Sequence, residues 1–300
     1  MLRTVKNAII YGSVRLALPL LGAVPLVALR RIARLLGAFI YLVARRERRC
    51  AARQLRECFV RITPNRVDAI CRGLCNHLAM NAIELCRILR SANSGTPVHI
   101  PEASRRALET ARSCGRGVLF ITGHIGSWER MAIALAGTYP VFTVAKESYD
   151  PRFTSLIDRH RRRLRVNAIF RGRPGATAAM VRALRNNGIL GFLIDQDTDV
   201  PGVFSPFFSR PAFTPSGPAA FAVRTGIPAV VGTLRRTPAG HHVLEMEIVD
   251  PAPDVQTLTD RFNRILEQRI RVAPSQWVWF HRRWKTRSDR ATTGGRTSHR

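Results

Sequence analysis

From residue 102 onward, short apolar runs alternate with amphipathic stretches. Val118–Thr122 is an unbroken run of apolar residues and Thr between Gly117 and Gly123, which predicts a buried strand. Ser127 then precedes Met131-Ala132-Ile133-Ala134-Leu135-Ala136, which predicts a helix capped near Ser127. A helix over 102–114 leads into this unit. Beyond it the pattern predicts strands at 140–145, 168–170, 189–194, 227–233 and 243–249, and helices at 151–165, 175–186, 215–225 and 254–272. Such alternation specifies an α/β fold, with a mixed central sheet and helices on both faces.

Residues 51–95 read differently. Leu55, Cys58, Phe59 and Ile62 recur at helical spacing, and after Pro64 so do Val67, Ile70, Cys71, Leu74 and Leu78; these helices are expected to cover the sheet. Residues 1–50 carry two apolar runs, 16–29 and 35–44. The first is interrupted by Pro19, Gly22 and Pro25, and Arg clusters follow both. Neither reaches the roughly 18–20 residues of a clean transmembrane helix, and basic clusters after the runs do not suit a signal peptide. The expectation is a membrane anchor over 1–50, embedded or interfacial, with Arg reaching to headgroups. A single tilted span and a Pro-kinked core helix are the alternatives. Residues 51–285 then form the main domain, and 286–300, rich in Arg, Gly, Ser and Thr, a disordered basic tail.

Charge narrows the partners. The chain has 48 Lys and Arg against 20 Asp and Glu, a net +28, and its only lysines are Lys6, Lys146 and Lys285. Such a surplus attracts anions: phospholipid headgroups, phosphorylated lipids, acidic carrier proteins or nucleic acid. Zinc-finger spacing, an RRM signature and aromatic-interleaved basic strands are missing, which argues against nucleic acid and leaves only a helix-turn-helix open. The six cysteines, Cys50, Cys58, Cys71, Cys75, Cys86 and Cys114, form no Cys-x-x-Cys pair and read as reduced thiols.

The chemistry concentrates at the end of the 118–122 strand. His124 falls on the strand-to-helix turn and Glu129 in the first helical turn. On one continuous helix a five-residue separation is ~500° of rotation and points the two side chains apart, so they meet only if His124 precedes the helix, as Gly123 and Gly126 allow. A carboxylate on one imidazole nitrogen raises the basicity of the other, which then takes a proton from a hydroxyl. The plain alternative is a loop histidine and a glutamate favoured by the helix dipole. Arg171-Gly172-Arg173-Pro174-Gly175, between a strand and a helix, suits a phosphate or is a simple loop. Asp195 and Asp197 end the 189–194 strand as ligands of metal or substrate, or as acids that cap the turn or pair with Arg.

This stretch resembles the His-x4-Asp/Glu acyltransferase motif in the form found in bacterial lipid A late acyltransferases. Three further pieces match in order: Asp195-Gln196-Asp197, Pro206-Phe207-Phe208, and Gln276-Trp277-Val278-Trp279-Phe280-His281-Arg282-Arg283-Trp284-Lys285. The resemblance implies a glycerolipid-acyltransferase-like fold behind an N-terminal membrane segment. It implies transfer of a fatty acyl chain from an acyl thioester, on acyl carrier protein or coenzyme A, to a hydroxyl of a lipid A precursor at the cytoplasmic face of the inner membrane, with no metal and no cofactor. His124 would be the general base, with Glu129 orienting it. Arg161 would stabilise negative charge, with Arg159 and Arg162 as alternatives in register. Asp195 and Asp197 would pair with Arg or position substrate, and the Phe207 loop would border the acyl chain. The Trp-rich segment reads as a belt at the membrane surface or as a buried aromatic plug with an Arg rim. Two rivals stand beside this reading: an acyl-CoA enzyme for another acceptor such as a phosphatidylinositol mannoside, and a non-enzymatic basic protein binding membrane or nucleic acid.

Overall fold

A computed structural model describes Gly12, Val24 and residues 26–90, 96–148 and 150–287; most of the 16–29 run and all of the tail after Arg287 lie outside these residues. Among the described residues three helices precede the sheet: α1 (Leu26–Val43), α2 (Arg45–Cys58) and α3 (Pro64–Arg90). Leu29 and Ala33 of α1 are buried with Ile83 of α3. At Gly37 a Cβ would stand 2.7 Å from the Asn76 backbone, so glycine lets the two helices cross closely. The strongly basic α2 buries only Ala51, Gln54, Leu55 and Cys58, a stripe at helical spacing that fixes which face turns inward. Among the described residues no helix is long and apolar enough to cross a membrane.

The central sheet has seven strands in the order β1-β9-β8-β2-β5-β3-β4. They are β1 (Val98–His99), β2 (Val118–Thr122), β3 (Val141–Ala145), β4 (Val166–Phe170), β5 (Ile189–Leu193), β8 (Ala229–Arg236) and β9 (His242–Val249). β8 and β9 pair antiparallel; every other pairing in the sheet is parallel. The expected mixed α/β sheet is therefore present. Every residue of β2 is buried, as an inner parallel strand covered on both faces requires.

Alternate residues of β2 enter two separate cores. Leu119 and Ile121 join one with α2, α3, α7 (Ala176–Arg185), α8 (Gly217–Thr225) and α9 (Val255–Val272). Val118 and Phe120 join the other with α4 (Glu102–Arg112) and α5 (Trp128–Ala136). The remaining helix, α6 (Pro151–Arg163), runs between β3 and β4; Asp150 caps it by accepting from the Arg152 N–H.

One element was not legible in the pattern. The segment expected as the Phe207 loop is a hairpin, β6 (Gly202–Phe207) with β7 (Arg210–Pro215). Its two-residue turn is Phe208-Ser209, both at positive φ, 54° and 57°. Primed hairpin turns normally announce themselves with Gly or Asn; here packing of the Phe208 ring against Trp277 and Trp279 holds the turn.

Candidate active site

The parallel register of β2 and β5 builds the site. Thr122 lies opposite Leu193, so the residues two positions beyond each strand, His124 and Asp195, emerge side by side at the carboxyl edge of the sheet. Asp195 is fully buried. One of its oxygens lies 2.9 Å from His124 Nδ1, and the other accepts from the His124 backbone N–H at 2.6 Å. Trp277 Nε1 donates to that second oxygen at 2.7 Å. Gly123 leaves room for the carboxylate: a Cβ there would meet Asp195 Cγ at 2.8 Å.

The turn is held from behind as well. Gly126, at φ +61°, is pressed so closely on β8 that a Cβ would reach the Leu234 carbonyl oxygen at 1.6 Å. Its N–H donates to the Gln276 carbonyl at 2.8 Å, Ser127 N–H donates to Leu234, and Val278 N–H donates to His124 O. Asn81 Nδ2 donates to the Gly126 carbonyl at 2.7 Å, and His77 Nε2 lies 3.1 Å from the same oxygen. Backbone and side-chain bonds from α3, β8 and residues 276–278 thus fix the position of His124.

Burial pushes the His124 imidazolium toward losing its proton, but the charge and hydrogen bond of Asp195, with the charge of Glu129, outweigh it and raise the pKa above 6.5. Burial works against the Asp195 carboxylate in turn, yet His124 and the indole N–H bring its pKa below the ordinary value. With Nδ1 committed to Asp195, Nε2 is the nitrogen left to act. The side chain keeps 25% of its surface exposed and lines a pocket of about 530 Å³. Phe120, Met131, Leu135, Val141, Ile189, Gly191 and Phe192 give this pocket an apolar depth, and Glu129, Lys146, Arg161 and Arg171 give it a charged margin.

Here the expected roles divide. The carboxylate on His124 Nδ1 is Asp195 and not Glu129, because the sheet delivers Asp195 to the strand end while α5 carries Glu129 one turn away. Glu129 is instead gripped by Arg161: Nε donates to Oε2 at 3.0 Å and the neighbouring amino group to Oε1. Of the three arginines in register on α6, Arg161 is the one that lines the pocket, and Arg162 pairs with Asp158. Arg171 also reaches the pocket.

Asp195 and Asp197 do not line the pocket. Asp197 is buried beneath the Thr286 N–H and hydroxyl, with Lys285 at 3.8 Å. Phe207 lies outside the pocket too, fully buried between Trp277 and Trp284 with the Arg283 guanidinium 5.1 Å from its ring. The Trp-rich segment is therefore a plug and not a belt. Trp277 and Trp279 are buried, and Arg283 lies inside the plug and not on its rim, donating to Phe213 O and Thr214 Oγ1. Burial brings its guanidinium pKa down to about 10. Among the described residues no His, Cys, Asp and Glu cluster is arranged to hold a metal ion.

The fold and the site define an α/β protein with a histidine–carboxylate pair at a central strand end, opening on a deep apolar pocket with a cationic margin. The chain belongs to the family described as bacterial lipid A biosynthesis acyltransferase, whose profile matches residues 3–286. It is 30% identical over 182 residues to a lipid A biosynthesis lauroyltransferase of Escherichia coli (strain K12), a match covering 58% of each chain. It is 28% identical over 187 residues, 60% of each chain, to the palmitoleoyltransferase of the same organism and, at the same figures, to a lipid A biosynthesis acyltransferase of Shigella flexneri. The matches thus span about three fifths of the curated relatives' length.

Proposed function

We propose that this protein is an O-acyltransferase that moves a fatty acyl chain from an acyl thioester to a hydroxyl of a lipid A precursor. The observation that carries this reading is the His124–Asp195 pair facing a pocket whose depth is apolar and whose margin holds Lys146, Arg161 and Arg171. An apolar cavity of this size suits an alkyl chain, and a thioester at its mouth lies beside the imidazole.

The steps follow from the residues. His124 Nε2 removes the proton of the acceptor hydroxyl as its oxygen attacks the thioester carbonyl. The imidazolium that forms is stabilised by Asp195. The tetrahedral oxyanion is met by the positive margin, with Arg161 held in place by Glu129. The C–S bond then breaks, the ester remains on the acceptor, and the proton on His124 passes to the departing thiolate. No covalent enzyme intermediate and no redox partner are required.

The donor carrier in this reading is acyl carrier protein, an acidic partner matched to the +28 charge. The acceptor is an anionic, phosphorylated glycolipid. The working location is the cytoplasmic face of the inner membrane, with residues 1–50 as the attachment and 51–285 as the catalytic domain.

The test is acyl transfer by the purified full chain, with acyl carrier protein thioesters and a phosphorylated lipid A precursor, read by mass spectrometry. Gain of one acyl chain by the precursor is expected, with loss of about 10²–10⁴ in rate for His124→Ala. Undiminished transfer by a folded His124→Ala protein removes this reading; transfer from coenzyme A thioesters alone reassigns the donor.

A further inference from the structure

The inward stripe of α3 changes character along its length. Ile70, Leu74, His77, Asn81 and Glu84 recur at steps of four and three residues, so they share one face of the helix. The first two are apolar. The last three are polar, with His77 and Glu84 buried and Asn81 half-buried. Burying polar side chains costs free energy unless their bonds are met, and apolar residues of similar size would spare that cost. The polar end of the stripe lies where α3 passes the Gly126 turn.

Asn81 is the centre of this group. Its amide nitrogen donates to the Gly126 carbonyl at 2.7 Å and lies 2.9 Å from His77 Nε2. Its amide oxygen accepts from Arg236 Nη2 at 3.0 Å, and the same nitrogen donates to Glu84 at 2.7 Å. The fully buried His242 places Nε2 3.3 Å from that carboxylate. The guanidinium decides which way the amide faces. Turned over, the amide would set its N–H groups against Arg236 and its oxygen against the Gly126 carbonyl. Glu84, Arg236 and Asn81 thus form a relay whose last bond falls on one backbone oxygen.

That oxygen belongs to the Gly126–Ser127 peptide. A glycine at φ +61° leaves the plane of the following peptide free to turn. Here the plane is held at both ends, the C=O by Asn81 and the N–H by the Leu234 carbonyl. On one side of it the chain carries His124. On the other it carries Trp128, whose ring meets His124 edge-on at 5.1 Å, and Glu129, which grips Arg161. We propose that Asn81 is a positioning residue for the transfer reaction, selecting the one orientation of this peptide that sets His124 and the Glu129–Arg161 pair about the same pocket. The inference rests on the proposed function, because Asn81 does not line that pocket and acts only through the turn.

Steady-state transfer by the purified full chain, with acyl carrier protein thioesters and a phosphorylated lipid A precursor, tests this well below each variant's unfolding midpoint. Asn81→Ala should lower kcat about 10–100-fold and leave KM for both substrates within about twofold, because the loss lies in the arrangement of the reacting groups and not in binding. Asn81→Asp keeps the bond from Arg236 but turns an oxygen on the Gly126 carbonyl, and should lower kcat at least as far. Asn167→Ala removes an amide that donates to the Val141 carbonyl at the amino end of β4, and should leave both constants unchanged. In histidine-labelled protein the imidazole resonances of His124 should shift in Asn81→Ala and stay in place in Asn167→Ala. A purely structural role would lower the midpoint and leave kcat and the resonances alone. With an active wild type, kcat of Asn81→Ala within about threefold overturns the proposal, as does a rise in KM at unchanged kcat or an unmoved His124 signal. If Asn81→Ala fails to fold, Asn81→Asp decides by the same readouts. A wild type without transfer activity is a different result: it removes the transfer reading, and this proposal with it.

Discussion

The indole N–H of Trp277 donates at 2.7 Å to Asp195, the same carboxylate that meets His124 Nδ1 at 2.9 Å through its other oxygen. A tryptophan 82 residues away from the aspartate thus holds the group that orients the histidine, in a fully buried setting where a charge-assisted hydrogen bond is worth about 1.5–3 kcal/mol. Ile125 bridges Trp277 through the backbone, so one segment carries both the histidine turn and the support of its partner.

Asp195→Asn tests that arrangement through its pH dependence. As the proposed base, His124 acts in its neutral form, and its pKa is raised, so kcat/KM should climb with pH through a value above 6.5. An amide at 195 offers an N–H to Nδ1, which moves the imidazole proton onto Nε2 and leaves no base facing the substrate. The rate should fall by about 10²–10⁴, and the residual limb should lie at lower pH. An unmoved limb in the variant assigns the titration to another group.

Glu129 and Arg161 should behave as one unit. Each is partly buried, 22% and 17% exposed, so removing either leaves the other charge half-buried and unpaired. Glu129→Gln and Arg161→Ala should each slow transfer, and the double variant should be little worse than the more damaging single one. Additive losses in single-turnover transfer would mean that the two act separately.

Gly191, on β5, lines the apolar pocket, and a Cβ there would meet only the Phe142 carbonyl oxygen at 3.5 Å and Thr143 Cγ2 at 3.8 Å. Space therefore exists for a side chain that would project into the cavity. Gly191→Leu should shift preference toward shorter acyl donors by about 1–3 kcal/mol of discrimination, in a competition among thioesters of different length. An unchanged preference places the chain elsewhere.

His77 should make the fold acid-sensitive. Burial is the main cause that brings its pKa down to about 4, so the folded state keeps it neutral while the unfolded chain protonates near 6.5. Its contribution is complete above pH 6.5 and is lost as pH falls toward about 4, a span worth up to ~3 kcal/mol. In His77→Asn the decline of the unfolding midpoint between these pH values should be shallower, whatever the absolute stability; an unchanged slope assigns the effect to other groups, such as His242 and His281, whose pKa values are also lowered.

Much of the fold was legible because its signals are local. The run Val118–Thr122 is apolar at every position, since an inner parallel strand is covered on both faces, and the glycines around it set His124 on a turn. The excess of arginine and the amphipathic stripes of α2, α3 and α9 could likewise be read from the chain. The partner of His124 could not. Glu129, five residues on, was the nearest acid in sequence; Asp195, 71 residues on, was the nearest in space. That choice depends on β5 lying next to β2 with Thr122 opposite Leu193. Strand order and register come from long-range packing, and no local periodicity encodes them. The same holds for Phe207, Asp197 and Arg283, whose residue types suggested a pocket or a surface. The aromatic plug buries all three, because β6, β7 and the residues after Pro274 close over the sheet only once the chain is folded.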